Sequence, residues 1–350
     1  MKLLVFLPNW IGDAVMATPA LRALREGFPQ AQLVGVMRPG VQAVLEGTPW
    51  LDQVIRYHPR GGSTEQGTRS LLRQLRRLRP QVAVLMPNSL RSALLAWFAG
   101  ARRRVGYRRY GRGWLLTDPL APPRHGRRLM RVPMVDYYLA LAYQLGCPVQ
   151  SPRLELATTP RDRKLADQRA GELGIADWQQ VVVLNCSGAF GAAKLWPVEH
   201  FALLARRIAA ELDYQVLVIC GPQEQATARA IVQQADHPGV LTLAGGPLSL
   251  GLSKECVRRC RLMVTTDSGP RHFAVAFGVP VVGLFGPTPP IWGRNPTARE
   301  IALQVEELPC LGCHRRRCPL GHHRCMRELS PQRVFQAVVT LLEQTHAEAA

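Results

Sequence analysis

From its first residues the chain alternates short apolar runs with stretches of helical periodicity, and it does so twice. Lys2–Leu7 runs into a Pro-Asn-Trp-Ile-Gly turn, and Ala14–Phe28 follows with apolar residues at helical spacing. Strand-like runs recur at Gln32–Val36, Gln53–Tyr57, Val82–Leu85 and Arg104–Gly106, with helical patterns between them. Met134–Leu145 predicts a helix, and the polar, Pro-containing stretch Ser151–Asp162 reads as a connection. The pattern then restarts. Strands are predicted at Val181–Asn185, Gln215–Cys220, Val240–Leu243, Leu262–Thr266 and Val281–Phe285, interleaved with helices at Val198–Leu212, Gln223–Ala235, Leu250–Arg259 and Gly269–Phe277. Ser330 as N-cap and Pro331 at the first helical position open a closing helix.

Alternation of this kind predicts parallel sheets covered by helices on both faces. The expected class is α/β: two doubly wound, Rossmann-like domains facing a central cleft, over residues 1–160 and 161–330, with a C-terminal helix in 331–350. Such folds take ligands at the carboxyl ends of their strands. The length of 350 residues suits two domains, and 47% hydrophobic against 20% charged residues excludes a disordered chain.

Charge is the anomaly: 44 Lys+Arg against 25 Asp+Glu, a net +19. Lysine occurs only at Lys2, Lys164, Lys194 and Lys254, so 40 residues are arginine, a bias that codon composition produces as readily as function. Distribution says more than the total. Residues 1–176 hold 27 basic and 11 acidic groups, net +16, whereas residues 177–350 hold 17 and 14, net +3. The positive field therefore belongs to the first half. A nucleic-acid-binding protein would suit that field, but aromatic content is 7% with no repeated stacking pattern and no recognisable DNA or RNA module.

The apolar start is too short for a signal peptide, and the longest uncharged stretch, His272–Gly293, is interrupted by four prolines. Nine cysteines without a leader suggest a reducing compartment, so a cytoplasmic location is expected.

Three loops carry groups suited to chemistry. Asp13 follows the first strand, where a carboxylate can act as a general base on a hydroxyl or cap a helix. Asn185–Pro197 joins a strand to a helix; Ser187, Gly188 and neighbouring small residues let backbone N–H groups approach an anion, and Lys194 adds a charge for phosphate. An ordinary strand-to-helix connection would look similar, although lysine is rare in this chain. In Thr265–His272, Thr266, Ser268, Gly269 and the backbone could hold a diphosphate, with Asp267 free for sugar hydroxyls and His272 facing the leaving group; capping again is the plain alternative.

Taken together these pieces resemble the ADP-heptose:lipopolysaccharide heptosyltransferase family, glycosyltransferase family 9. The likeness rests on Trp10-Ile-Gly-Asp-Ala14, Leu85-Met-Pro-Asn-Ser-Leu-Arg-Ser-Ala93, Phe98-Ala-Gly100, Gly106-Tyr107, Lys194-Leu-Trp-Pro197, Asp267-Ser-Gly-Pro-Arg-His272 and Leu284-Phe-Gly-Pro-Thr288. It implies a GT-B fold, an ADP-heptose donor and inversion without a required metal. Asp13 becomes the base, Lys194 the cation on the departing ADP, and Thr266–Gly269 with His272 the donor-phosphate and sugar site, with Glu224 on the ribose. The Pro87-Asn-Ser-x-Arg-Ser stretch points to the type that adds the second heptose to the lipopolysaccharide inner core, rather than the first- or third-heptose types or another nucleotide-sugar transferase. Asn88, Ser89 and Arg91 are then acceptor-side candidates.

An anionic glycolipid acceptor also gives the charge a direction. The arginines at 69–79, 102–104, 108–112 and 124–131 would hold a cytoplasmic protein at the inner face of the membrane.

One further cluster stands apart. Cys310, Cys313, Cys318 and Cys325 fall within sixteen residues, with His314, His322 and His323 among them, a ligand density that suits a structural zinc as well as it suits free thiols. Cys147, Cys186, Cys220, Cys256 and Cys260 lie in apolar elements and are expected in the core.

Overall fold

Both repeats form parallel sheets, because their central strands are apolar toward both faces. The computed structural model describes residues 1–58, 67–188 and 190–347. Contacts divide the chain into one unit of Met1–Ala157 plus Gly293–Pro296 and a second of Thr158–Trp292 plus Thr297 onward.

In the first unit, strands β1 (Lys2–Phe6), β2 (Gln32–Met37), β3 (Gln53–Arg56), β4 (Val82–Leu85), β5 (Arg103–Tyr107) and β6 (Asp118–Leu120) lie in the order β3-β2-β1-β4-β5-β6, all parallel. The strand order turns back between β1 and β4, which is where doubly wound sheets open a crevice. Helices α4 (Thr68–Leu78) and α5 (Leu90–Phe98) pack one face through Leu71, Leu75, Leu78, Ala93 and Ala96. On the other face lie α1 (Ile11–Met16), α2 (Thr18–Gly27), α3 (Pro39–Leu45) and α6 (Met134–Tyr143), where α2 meets α6 and α1 meets α3. A two-residue ladder, β7 (Arg124–His125) with β8 (Arg128–Leu129), lies outside the sheet.

The helix predicted over Ala14–Phe28 is in fact α1 and α2. Pro19 at the start of α2 cannot donate to Val15, and the Thr18 hydroxyl donates to that carbonyl instead, at 2.8 Å. Strand β6, three residues at the sheet edge, is too short to show a periodic signal.

The second unit repeats the topology. Strands β9 (Val181–Asn185), β10 (Gln215–Ile219), β11 (Val240–Thr242), β12 (Leu262–Thr266), β13 (Val281–Leu284) and β14 (Glu300–Leu303) run parallel in the order β11-β10-β9-β12-β13-β14. Helix α7 (Pro160–Leu173) begins inside the stretch read as a connection. Its capping box explains the start: Thr159 Oγ1 accepts from Asp162 N at 3.2 Å, and the Asp162 carboxylate accepts from Thr159 N at 2.9 Å. Helices α8 (Val198–Glu211), α9 (Gln225–Ala235), α10 (Leu250–Arg259), α11 (Arg271–Phe277), the one-turn α12 (Arg324–Arg327) and α13 (Pro331–Ala347) complete the unit. The closing helix α13 is part of its core, burying Val334, Phe335, Val338, Leu341 and Leu342 beside α8. Among the described residues no helix is long and apolar enough to cross a membrane.

Candidate functional site

The carboxyl edge of the second sheet is tied together by side chains from three strand ends. Asn185, which closes β9, donates to Thr265 Oγ1 at 2.9 Å and to Ser268 Oγ at 2.8 Å. Thr266 Oγ1 donates to Ser187 O at 3.0 Å, and Ser187 Oγ accepts from Gly221 N, also at 3.0 Å. Glu224 sits on the same corner. Its Oε2 lies 2.6 Å from where a Cβ on Gly221 would stand, so the glycine makes room for the carboxylate. Gly188 accepts from Gly191 N at 2.9 Å within the loop, and Gly269 O accepts from His272 N at 3.1 Å. Ser187, Glu224, Thr266 and Ser268 are thus brought to one edge; Ala189 of the same loop lies outside the described residues.

Lys194 occupies the end of a 3-10 turn, Ala192–Lys194, and is nearly buried. Its Nζ lies 2.6 Å from Asp267 Oδ2 and 2.8 Å from Asp267 O, and 4.8 Å from the centroid of the Phe190 ring. Asp267 is therefore not the free acceptor expected from sequence. Thr288 Oγ1 donates to its Oδ2, Arg271 Nε stands 3.5 Å from its Oδ1, and Arg271 in turn grips Glu300 at 2.6 and 2.8 Å. Burial opposes ionisation of Asp267, but the charges of Lys194 and Arg271 outweigh it and hold the carboxyl at about 2. The cluster is a fixed carboxylate surrounded by cations, with Lys194 presented on a loop beside it. Burial, reinforced by Arg271, keeps the His272 ring neutral well below its ordinary 6.5, and its Nδ1 finds no hydrogen-bond partner among the described residues.

The cysteine-rich segment braces this loop. Ala193 N donates to Arg316 O at 3.1 Å, His323 Nε2 lies 2.9 Å from Ala193 O, and the Phe190 and His314 rings stack at 5.0 Å. Gly191, at φ 149°, faces Arg316 O so closely that a Cβ would sit 2.4 Å from it. Backbone N–H groups, led by that of His323, hold the Cys318 thiol below its ordinary value. Burial and the neighbouring thiols of Cys310, Cys313 and Cys318 push Cys325 up to about 11. Among the described residues no group of three or more Cys, His, Asp or Glu side chains is placed to hold a metal ion. The other five cysteines are buried.

In the first unit a pocket of about 410 Å³ opens at the carboxyl edge, near the turn-back point of the strand order, lined among others by Asn9, Arg38, His58, Ser89 and Arg91. Asn88, grouped with them on sequence, turns away: its Nδ2 donates to Tyr137 Oη at 3.0 Å and its Oδ1 accepts from Arg112 Nη2 at 3.2 Å. Asp13 lies in the first turn of α1. The N-cap is Trp10, three residues before it. The buried Tyr138 hydroxyl bonds its carboxylate; burial, then that charge, raises the tyrosine well above its usual range.

Arg112 departs from the sequence reading altogether. Counted among the surface arginines, it is fully buried, donating to the carbonyls of Tyr107, Pro87, Ser89 and Leu85 with no carboxylate among its hydrogen-bond partners in the described residues. Burial pulls its guanidinium down to about 10. It holds the Leu85–Ser89 turn in place, a role with no local sequence signal. Glu300 was likewise invisible, because it meets Arg271 from 29 residues away.

Comparison with known proteins follows the same lines. The profile of glycosyltransferase family 9 (heptosyltransferase) matches residues 68–323. The lipopolysaccharide heptosyltransferase 2 of Escherichia coli is 30% identical, covering 99% of this chain and 100% of that protein. The structure of the E. coli ADP-heptose lipopolysaccharide heptosyltransferase II superposes with a TM-score of 0.77 at 26% identity, covering 99% of this chain and 100% of the other. A family 9 glycosyltransferase of Veillonella parvula gives 0.80 at 23% identity, covering 98% and 97%.

Proposed function

Because the chain belongs to glycosyltransferase family 9, the heptosyltransferases, we propose that it moves L-glycero-D-manno-heptose from ADP-heptose onto the heptosyl-Kdo-lipid A inner core, adding the second heptose in lipopolysaccharide core biosynthesis. End-to-end similarity to heptosyltransferase 2 carries this reading. The donor takes its place on the second unit, where Ser187, Gly188, Thr266, Ser268 and Gly269 offer hydroxyls and backbone N–H groups to a diphosphate and Glu224 offers a carboxylate to a ribose.

Charge flow sets the remaining roles. An acceptor hydroxyl attacking the anomeric carbon loses its proton as the new bond forms; Asp13 takes that proton, with the Tyr138 hydroxyl orienting the carboxylate. The C–O bond to the diphosphate breaks with inversion, and Lys194 meets the charge that gathers on ADP. Asp267 positions Lys194 rather than touching sugar, and neutral His272 stands one turn away. A structural zinc on Cys310, Cys313, Cys318 and Cys325 is a separate proposal with no step here; it requires the thiols to move together, and metal content of anaerobically purified, folded protein measures it.

The test is direct. The protein is incubated with ADP-heptose and, separately, Kdo-lipid A and heptosyl-Kdo-lipid A, and product mass is followed. A heptose increment on the second acceptor alone is expected. Transfer to the first acceptor alone would reassign the enzyme to first-heptose transfer.

A further inference from the structure

Helix α4 carries arginine where a surface helix would ordinarily mix its charges. Arg69, Arg73, Arg76 and Arg77 share one face at i, i+4, i+7 and i+8, opposite the buried stripe of Leu71, Leu75 and Leu78. Arg79, just past the helix in the left-handed region, extends the row. All five are exposed, and none forms an ion pair among the described residues. The helix contains no acidic residue, so like charges face each other across single turns, which weakens a helix in isolation. An external counter-charge would relieve that repulsion.

The arginines line a groove of about 620 Å³ together with Leu72 alone. Next to Arg76 stand two exposed aromatic residues closing α5, Trp97 at 47% and Phe98 at 46%, their ring centroids 4.8 Å apart. Arg76 Nε donates to Phe98 O at 3.1 Å, fixing the aromatic pair to the basic row. An arginine stripe beside exposed Trp and Phe is the composition that settles at a bilayer surface, with guanidinium groups on phosphates and rings at headgroup depth. A single-stranded nucleic acid would instead call for aromatic rings inside the charged groove, and the groove lining has none.

The stripe also has a useful position. Helix α4 runs antiparallel to the strands of its sheet. Its first residue, Thr68, meets Tyr57 Oη at 3.2 Å, and Tyr57 lines the pocket at the carboxyl edge; its last arginines and the aromatic pair reach the amino edge. We propose that the outer face of α4, with Trp97 and Phe98, is a docking surface for an anionic phospholipid bilayer, which it would hold alongside the acceptor pocket. The proposal rests on the reading of the chain as an enzyme of a lipid-borne acceptor, but the binding it describes needs no catalysis.

Its test is co-sedimentation of the full chain with vesicles of phosphatidylcholine alone and of phosphatidylglycerol mixed equally with phosphatidylcholine. Binding should require phosphatidylglycerol and weaken as salt rises. Arg73→Gln with Arg77→Gln should lower the partition coefficient about 25-fold, at about fivefold per arginine. Trp97→Ser should remove the quenching of tryptophan fluorescence by brominated lipid while circular dichroism stays that of the parent. Both variants should transfer heptose to a deacylated, water-soluble acceptor at the parent rate, which separates failure of docking from failure of the enzyme assignment. Unchanged vesicle binding in the arginine variant would overturn the proposal. So would tighter binding of an oligonucleotide that the same substitutions abolish and the vesicles do not displace.

Discussion

The two units share a strand order but treat buried cations in opposite ways. In the first, Arg112 sits on backbone carbonyls and an amide oxygen, with no carboxylate among its hydrogen-bond partners in the described residues. In the second, Lys194 and Arg271 converge on Asp267 and Glu300. Hydrogen bonds alone leave a buried charge costly, and burial accordingly draws Arg112 down to about 10; ion pairing does the reverse, and Asp267 is held ionised to about 2. The first arrangement shapes a turn beside a pocket. The second pairs a lysine with a carboxylate on a loop that braces against the cysteine-rich segment.

Substitutions can break this contrast. The largest expected effect is on chemistry: Asp13→Asn should lower turnover by about 10²- to 10⁴-fold while the ADP-induced rise in melting temperature persists, and near-parental turnover would remove Asp13 as base. Next is Lys194→Met, which leaves Asp267 beside one fewer cation. A loss of about 3 kcal/mol in urea unfolding is expected, together with a diminished ADP-induced melting shift. An unchanged ADP shift would show that Lys194 serves the fold alone. Arg112→Met should cost somewhat less, about 2 kcal/mol, by leaving carbonyls of Leu85–Ser89 unpaired, and should raise the KM for acceptor more than that for donor. Equal effects on both would mean the turn does not shape the acceptor pocket.

The smallest effect concerns pH. His272 is depressed on folding, so its contribution to stability is present above about 6.5 and is lost as pH falls toward its folded value, because the unfolded chain takes up the proton first. Denaturant midpoints should therefore decline below pH 6.5, by at most about 1.4 kcal/mol per pH unit from this one group. His272→Gln should flatten that slope, and an identical slope would place the proton uptake elsewhere.

How far such features can be read from sequence depends on range. Parallel strands at Val82–Leu85 or Leu262–Thr266 announce themselves because burial on both faces leaves an uninterrupted apolar run. The loops around Lys194 and Thr266 follow from strand-to-helix order, so their residues could be named in advance. Pairings across the fold could not: nothing near Asp267 in sequence says that Lys194 and Thr288 will occupy its carboxylate. The arginine at 112 looked like its neighbours 108 and 109, since charge clustering does not reveal which member turns inward.

The short return of Gly293–Pro296 to the first unit has a bearing on modularity. Asn295 Nδ2 donates to Pro152 O at 2.7 Å, so the first unit is finished by residues that lie between β13 and β14 of the second. A gene severed between codons 157 and 158 would yield neither half whole. Recombination among relatives should thus exchange the first unit together with its distant four-residue patch, or not at all.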